Sequence, residues 1–208
     1  MPILRIDPRS FAPSDLAPAL TVLRSGGVVA FPTDTFYGLA ADPTQPAAVE
    51  RVFAVKARAA GEALPLIAVS IEAVEEFCGP IGAAGERLAR QFWPGPLALL
   101  LDAPAVVVPA VHGGTGAVAI RVPDHPVARA LTEAFGRPLT ATSANRSGQP
   151  PACDAAALGG LDPSVFVVDA GVTAGGVPST IVDARVSPPR LVREGAVPWN
   201  RVLTFLSP

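Results

Sequence analysis

The segment Phe31-Pro32-Thr33-Asp34-Thr35-Phe36-Tyr37-Gly38-Leu39-Ala40-Ala41-Asp42 decides how the chain is read. It follows the apolar run Gly27-Val28-Val29-Ala30 and sets hydroxyls, a carboxylate and a phenol between a proline and a glycine. A β-rich run closed by Pro and Gly is ordinary punctuation, so one reading is a strand over residues 28–32 that ends in a turn. The other is a buried strand that delivers Thr33, Thr35 and Tyr37 to the rim of a cleft, where hydroxyls orient a small polar substrate. The remainder of the chain chooses between them.

Working outward, Ser14-Asp15 starts a helix with Leu16, Leu20 and Leu23 on one stripe, closed by Gly26-Gly27. Downstream, Pro46 opens a helix whose apolar positions Val49, Val52 and Phe53 recur at helical spacing, and Lys56 continues that inward stripe one turn beyond Phe53. Strands are expected over 64–69, 97–101, 106–111, 118–122, 138–142, 165–169 and 179–183, and helices over 71–77, 83–92, 126–135 and 152–158. Strands often adjacent to one another, interleaved with helices, predict an α/β fold built on a mixed sheet. The Gly- and Pro-bearing connection 171–178 is too short to separate domains, so one domain over 1–208 is expected, with its motifs between about 13 and 200.

Composition narrows the function. Of 208 residues, 50% are hydrophobic and 16% charged, which describes a globular chain with a substantial core. A formal net charge of −2 argues against holding nucleic acid by bulk electrostatics. The N-terminus lacks a charged segment followed by an apolar one, and no run reaches membrane-spanning length, so a cytoplasmic protein without a membrane contact is expected. Cys78 and Cys153 stand far apart, and neither they nor His112 and His125 have metal-ligand spacing, so neither a disulfide framework nor a protein-held metal is expected. Among 16 basic residues, 15 are Arg and Lys56 is the single Lys. That exception asks what needs an ammonium there.

Three segments carry candidate chemistry. Lys56-Ala57-Arg58, at a helix end, suits either a solvated C-terminus or a cleft that receives phosphates or carboxylates. Thr140-Ala141-Thr142-Ser143-Ala144-Asn145-Arg146-Ser147-Gly148 reads as a turn or as a loop whose hydroxyls, amide and N–H groups hold an anion; it is not a Walker A loop, because no Gly-Lys-Ser/Thr follows. Ser179 enters a strand much as the opening motif leaves one, and Arg193 reads either as an exposed arginine beside Glu194, the commoner case, or as a forked donor to a phosphate. His125 is expected to help open the helix after Pro123-Asp124.

In order, "FPTDTFYGLAAD", "VKAR", "FWPGPLALLL", "VAIRVPDHP", "PLTATSANRSGQPP", "PSTIVDA" and "LVREGAV" resemble the YrdC-like family of threonylcarbamoyl-AMP synthases, from about residue 26 to 197. The resemblance implies a single twisted mixed sheet with helices around a deep, positively lined groove. It implies that L-threonine, bicarbonate and ATP give threonylcarbamoyl-AMP and pyrophosphate, a nucleotidyl transfer that opens the threonylcarbamoyladenosine modification of tRNA. Carried over by position, Thr35, Tyr37, Arg121, Ser143 and Ser179 are implied to hold threonine, and Lys56, Arg58, Asn145 and Arg193 the nucleotide, with Lys56 and Arg58 facing the triphosphate. Mg²⁺ is implied with ATP, and downstream threonylcarbamoyl-transferase proteins and a weak tRNA contact as partners.

The chain departs from the family pattern at three places. Glu62-Ala63 stands where relatives often carry Lys or Asn followed by Pro, Ile67 where some carry His, and Cys153 where Thr or Ser is common. The C-terminal extension of two-domain relatives is not expected. Two other readings remain: an RNA-binding module of the same fold, which a 6% aromatic content serves poorly, and a paralogue acting on another carbamoyl-adenylate. If Lys56 is purely functional, Lys56→Ala should abolish activity and leave the melting temperature unchanged.

Overall fold

The computed structural model describes residues 1–58 and 61–206. In chain order the elements are β1 (Ile3–Arg5), α1 (Ala17–Arg24), β2 (Val29–Pro32), β3 (Tyr37–Ala40), α2 (Pro46–Lys56), β4 (Leu66–Ile67), α3 (Ile71–Cys78), α4 (Gly82–Phe92), β5 (Leu97–Asp102), β6 (Ala117–Arg121), α5 (Pro126–Phe135), β7 (Leu139–Thr140), β8 (Thr142–Ser143), β9 (Phe166–Asp169), β10 (Thr180–Asp183), β11 (Arg190–Arg193) and α6 (Trp199–Leu206).

The α/β class is as expected, but the strands form two mixed sheets rather than one. The first runs β1-β9-β2-β3-β8 and the second β11-β10-β5-β6-β4-β7. In the first, β2 lies parallel to β9 and antiparallel to β3; in the second, β5 lies parallel to β10 and antiparallel to β6. One segment belongs to both. Leu139 and Thr140 pair with β4, then Thr142 and Ser143 pair with β3, and only Ala141 lies between.

Burial explains the alternation of the strands. Val29, Phe31, Ala40 and Val168 pack with Leu16, Leu20, Leu23, Val127 and Leu131 of the N-terminal and α5 helices. Their neighbours Ala30, Leu39 and Val167 point the other way, into the core shared with Leu97, Leu99, Val118 and Ile120 of the second sheet. Successive side chains reach opposite faces, and both faces are covered, so these strands read in sequence as continuous apolar runs.

Several expectations change. Residues 37–40, read as a strand's end, form β3, the return arm of a hairpin with β2. Residues 106–111 are not a strand: Pro104 and Pro109 break the ladder, Val108 donates to the Pro43 carbonyl at 2.9 Å, and Pro109–His112 is a 3₁₀ turn. Only Leu66–Ile67 of the expected 64–69 strand is paired. The expected helix over 152–158 is a bend followed by a 3₁₀ turn, Ala156–Gly160, with Asp154 accepting from the Ala157 N–H at 2.8 Å. His125 precedes α5 but makes no side-chain cap, and its Nδ1 is buried without a partner. Strands β1 and β11 and helix α6 were not anticipated; β1 pairs with β9 and α6 packs on α4, both far away in sequence, whereas β11 is a short, mostly exposed return strand on β10. Among the described residues, no helix is long and apolar enough to cross a membrane.

Thr140 ties the seam. Its hydroxyl accepts from the Ala41 N–H at 2.9 Å and donates to the Leu39 carbonyl at 3.0 Å, with no exposure to water. Thr140→Val keeps the volume, strands the Ala41 N–H and takes one donor from the Leu39 carbonyl. It should cost about 1–3 kcal/mol, the desolvation penalty of buried groups left unpaired, measurable as a lower urea midpoint with an unchanged slope.

Candidate active site

Register brings the candidate residues together. Ile67 pairs with Arg121 across β4 and β6, Ile120 with Leu99 across β6 and β5, Thr180 with Leu97 across β10 and β5, and Ile181 with Arg193 across β10 and β11. The strand directions therefore place Ile67, Arg121 and Arg193 at one end of the second sheet, beside the start of β5 and Ser179 at the entry to β10. The β2–β3 turn and β8 close over that end. The result is a cavity of about 330 Å³ lined by Thr33, Thr35, Arg58, Arg121, Thr142, Ser143, Ser179 and Arg193, among others. The opening question is answered for Thr33 and Thr35, which stand on the rim of a cleft.

Arg121 is 7% exposed. Its Nη1 donates to both oxygens of Asp34, at 2.6 and 2.9 Å, and to the Gly95 carbonyl at 3.0 Å; Nη2 reaches the Thr33 and Thr35 hydroxyls only at 3.5 Å. The fork is thus anchored through one nitrogen, and the other is weakly engaged beside two hydroxyls. Asp34 was quoted within the opening motif but given no role. Its signal was available: a buried arginine at a strand end needs a counter-ion.

Lys56 is 3% exposed, as its place on the inward stripe of α2 requires. It does not line the cavity. Its ammonium donates to the Ser143 carbonyl at 2.5 Å, the Asn145 carbonyl at 3.0 Å and Asn145 Oδ1 at 3.1 Å, using all three protons on the segment that carries Ser143. Ser143 donates to the same Oδ1 at 2.6 Å. An ammonium has three donors on a compact head, which explains the lone lysine among arginines. Burial, followed by the neighbouring Arg58 charge, pushes the Lys56 pKa down to about 8. Serving three acceptors on one loop from a buried position makes Lys56 structural as well, so Lys56→Ala should lower the melting temperature, contrary to the clean separation anticipated.

Ala57 ends α2 in the left-handed region at φ 48°, and that turn parts the two cations. Lys56 points beneath the seam and Arg58 into the cavity. Arg58 pairs with Glu62 at 2.5 Å and reaches the Thr142 hydroxyl at 3.5 Å. On the far wall, Arg193 donates to the Ser179 carbonyl at 2.7 and 3.2 Å and to its hydroxyl at 3.3 Å, rather than facing Glu194. Gly195 permits this approach: a Cβ there would lie 2.2 Å from the Pro178 carbonyl oxygen.

Two candidates stand apart. Tyr37 borders the cavity, but its side chain is fully buried and its hydroxyl donates to the Gly171 carbonyl at 2.7 Å. Burial, its largest cause, pushes the phenol pKa up to about 12, so the proton stays on the donor. In this structure the Tyr37 hydroxyl is spent on the Gly171 carbonyl, while the residue itself borders the cavity. Asn145 faces a neighbouring cavity of about 660 Å³ with Arg146, Ser147 and Gln149. Ile67 lines the main cavity as an apolar wall. Among the described residues no three His, Cys, Asp or Glu side chains are grouped to hold a metal. Among the described residues, the cavity lining contains guanidinium and hydroxyl groups and none of those four residue types.

An α/β fold that gathers arginines and hydroxyls at one sheet end defines an anion-receiving cleft. Residues 21–195 match the Sua5/YciO/YrdC family, described as telomere recombination, and the chain belongs to that family. It is 40% identical over 182 residues to the threonylcarbamoyl-AMP synthase of Pyrococcus abyssi, covering 86% of this chain and 54% of that protein. It is 37% identical over 196 residues to that of Bacillus subtilis, covering 93% and 57%, and 39% identical to that of Thiobacillus denitrificans, covering 77% and 86%. The chain thus spans a little over half the length of the first two relatives. Among solved structures, P. abyssi Sua5 complexed with L-threonine superposes with a TM-score of 0.90 at 35% identity, over 99% of this chain and 61% of that one. Escherichia coli YciO gives 0.82 at 25% identity, over 94% and 97%.

Asp34→Asn preserves the shape of the Arg121 pair and removes its charge. Breaking a buried pair from one side should cost about 3–5 kcal/mol, measured by urea unfolding. A loss below about 1 kcal/mol would mean that the Gly95 carbonyl and the hydroxyls suffice for Arg121.

Proposed function

We propose that this cleft binds L-threonine, bicarbonate and ATP and forms threonylcarbamoyl-AMP with release of pyrophosphate. The observation that carries the reading is the convergence of Arg58, Arg121 and Arg193 with the Thr33, Thr35, Ser143 and Ser179 hydroxyls on one cavity without a carboxylate in its lining. Support comes from relatives named threonylcarbamoyl-AMP synthase and from a close structural neighbour solved with L-threonine.

The threonine amine and bicarbonate condense to a carbamate and water; a carbamate oxygen attacks the α-phosphorus, and the bond to the β-phosphate bridging oxygen breaks as pyrophosphate leaves. Such a reaction asks little covalent chemistry of the protein. Positioning and charge stabilisation dominate. Arg121, with Nη2 beside Thr33 and Thr35, is suited to the threonine carboxylate, and Ser143 and Ser179 to its remaining polar groups. Tyr37 contributes backbone and the support of Gly171. Arg58 and Arg193 are placed for the phosphates, and Asn145 and Lys56 act from below by holding the Ser143 segment. Mg²⁺ fits here only as an ion carried on the triphosphate, because the lining offers hydroxyls and no carboxylate. It would offset phosphate charge. A cytoplasmic location suits two unpaired, half-buried cysteines. The adenylate then serves a threonylcarbamoyl-transferase acting on tRNA, with at most a weak direct tRNA contact.

The test is pyrophosphate release from ATP and bicarbonate with threonine present, absent or replaced by serine. Release that depends on threonine is expected. Release indifferent to any amino acid, from folded protein that binds ATP or tRNA, would sink the synthase reading in favour of the paralogue or RNA-binding alternatives.

Lys56 adds a pH signature. Its ammonium is charged below a pKa of about 8 and neutral above it, so the full set of bonds that holds the Ser143 segment, and the positive charge behind that segment, are present at pH 7 and lost as pH rises through 8. ATP affinity, followed by calorimetry from pH 7 to 9.5, should be level at pH 7 and begin to weaken as the pH passes about 8. A flat profile would remove Lys56 charge from nucleotide binding.

A further inference from the structure

Arg58 is the least settled cation of the cavity. Its backbone is fixed where α2 ends, the Arg58 N–H donating to the Phe53 carbonyl at 3.0 Å. The side chain, 16% exposed, lines the cavity. Nη2 meets the Glu62 carboxylate at 2.5 Å, Nη1 has only the long 3.5 Å contact to the Thr142 hydroxyl, and Nε is buried with no partner. A guanidinium with one firm partner and one orphaned N–H has unused capacity for an acceptor with several oxygens.

Glu62 is held where it can serve and then leave. On one side, the Gly61 carbonyl lies so close to Gly113 that a Cβ on Gly113 would approach it to 2.4 Å; on the other, the Leu64 N–H donates to the Val111 carbonyl at 2.7 Å. The backbone around Glu62 is therefore pinned to the 109–114 turn. Its side chain is 65% exposed and, among the described residues, Arg58 is its one bonding partner. Solvent is open to it when that bond breaks.

We propose that the Glu62 carboxylate is a displaceable internal stand-in for a phosphate on Arg58, and that it sets how strongly the cleft favours a triphosphate or pyrophosphate over a monophosphate. The proposal rests on the nucleotide reading above and deepens it. Carboxylate and phosphate oxygens compete for the same guanidinium fork. An incoming triphosphate must release Glu62 and then lie beside its negative charge, so Glu62 weakens the ground-state hold on the outer phosphates. After transfer, the carboxylate reclaims Arg58 as pyrophosphate departs. A ligand that ends at the α-phosphate does not meet this competition.

The experiment is calorimetric titration of ATP, AMP and inorganic pyrophosphate into the full chain and its Glu62→Gln and Glu62→Ala variants, at low and high salt, with melting curves alongside. Loss of a half-exposed competing pair should tighten ATP and pyrophosphate about fivefold, while AMP changes by less than about twofold. The gain should shrink in high salt, as exposed electrostatics do. The steady-state KM for ATP should fall with that for threonine unchanged. A merely structural glutamate would move the melting temperature and shift all three ligands together. That result, or unchanged or weaker ATP binding in both variants, overturns the proposal alone. Folded wild type that binds none of the three overturns the nucleotide reading and this proposal with it.

Discussion

Five residues, 139–143, must serve two sheets at once. β7 completes the edge of the second sheet against β4, and one residue later β8 completes the first against β3. At that crossing Ala141 donates to the Pro65 carbonyl at 2.8 Å while Thr140 spends its hydroxyl on Ala41 and Leu39, so backbone groups between the two ladders find partners outside them. Everything at the cleft refers back to this crossing. It fixes Ser143 over the end of β6, and it creates a set of carbonyls that point away from either ladder. Lys56 exists to satisfy them. An ammonium offers three protons from one compact head, which matches three converging acceptors.

The same economy governs the cavity's other charges. Each cation has an internal acceptor: Asp34 for Arg121, the Ser143 and Asn145 carbonyls for Lys56, Glu62 for Arg58 and the Ser179 carbonyl for Arg193. These partners differ in burial. Asp34 and its arginine are both nearly enclosed, whereas Glu62 is mostly exposed. Removing a buried partner leaves an uncompensated charge, but releasing an exposed one lets water take its place. The enclosed Arg121–Asp34 pair is therefore built to stay, and the more exposed Arg58–Glu62 pair is built to exchange.

Much of this was legible in sequence where local physics decides. The apolar stripe of α2 placed Lys56 inward, Pro46 opened the helix, and the 28–32 run was a buried strand because both faces are covered. The class of fold and the grouping of Thr35, Arg58, Arg121, Ser143, Ser179 and Arg193 on one cavity followed from ordered motifs. What was not legible depends on where chains cross. Nothing local distinguishes a strand's end from the return arm at residues 37–40, because the turn residues are the same. The valines at 106–108 have high β preference, and the flanking prolines, together with the Pro43 carbonyl, override it. Tyr37 has a polar tip like its threonine neighbours, but the period-two alternation beyond the turn sends it to the core and toward Gly171. Its destination depends on a loop more than a hundred residues away.

Preorganised charge also explains how such a site is stable without an enzyme's usual acids and bases in its lining. On the proposed reading, charge developing on phosphate oxygens calls for donors already aimed, so that little reorganisation accompanies reaction. Aimed donors without acceptors destabilise the fold, which is why carbonyls and carboxylates recur behind each one. The cost appears at the least satisfied group, the buried Arg58 Nε. It lies at the end of a helix whose last residue is forced into a left-handed turn without glycine. Backbone strain and an orphaned donor thus fall on adjacent residues. The seam and the Lys56 bonds on one side, and the pinned 61–64 segment on the other, hold both in place. Local imperfection at Ala57 and Arg58 is the physical counterpart of a position kept ready for an acceptor the chain does not itself fully provide.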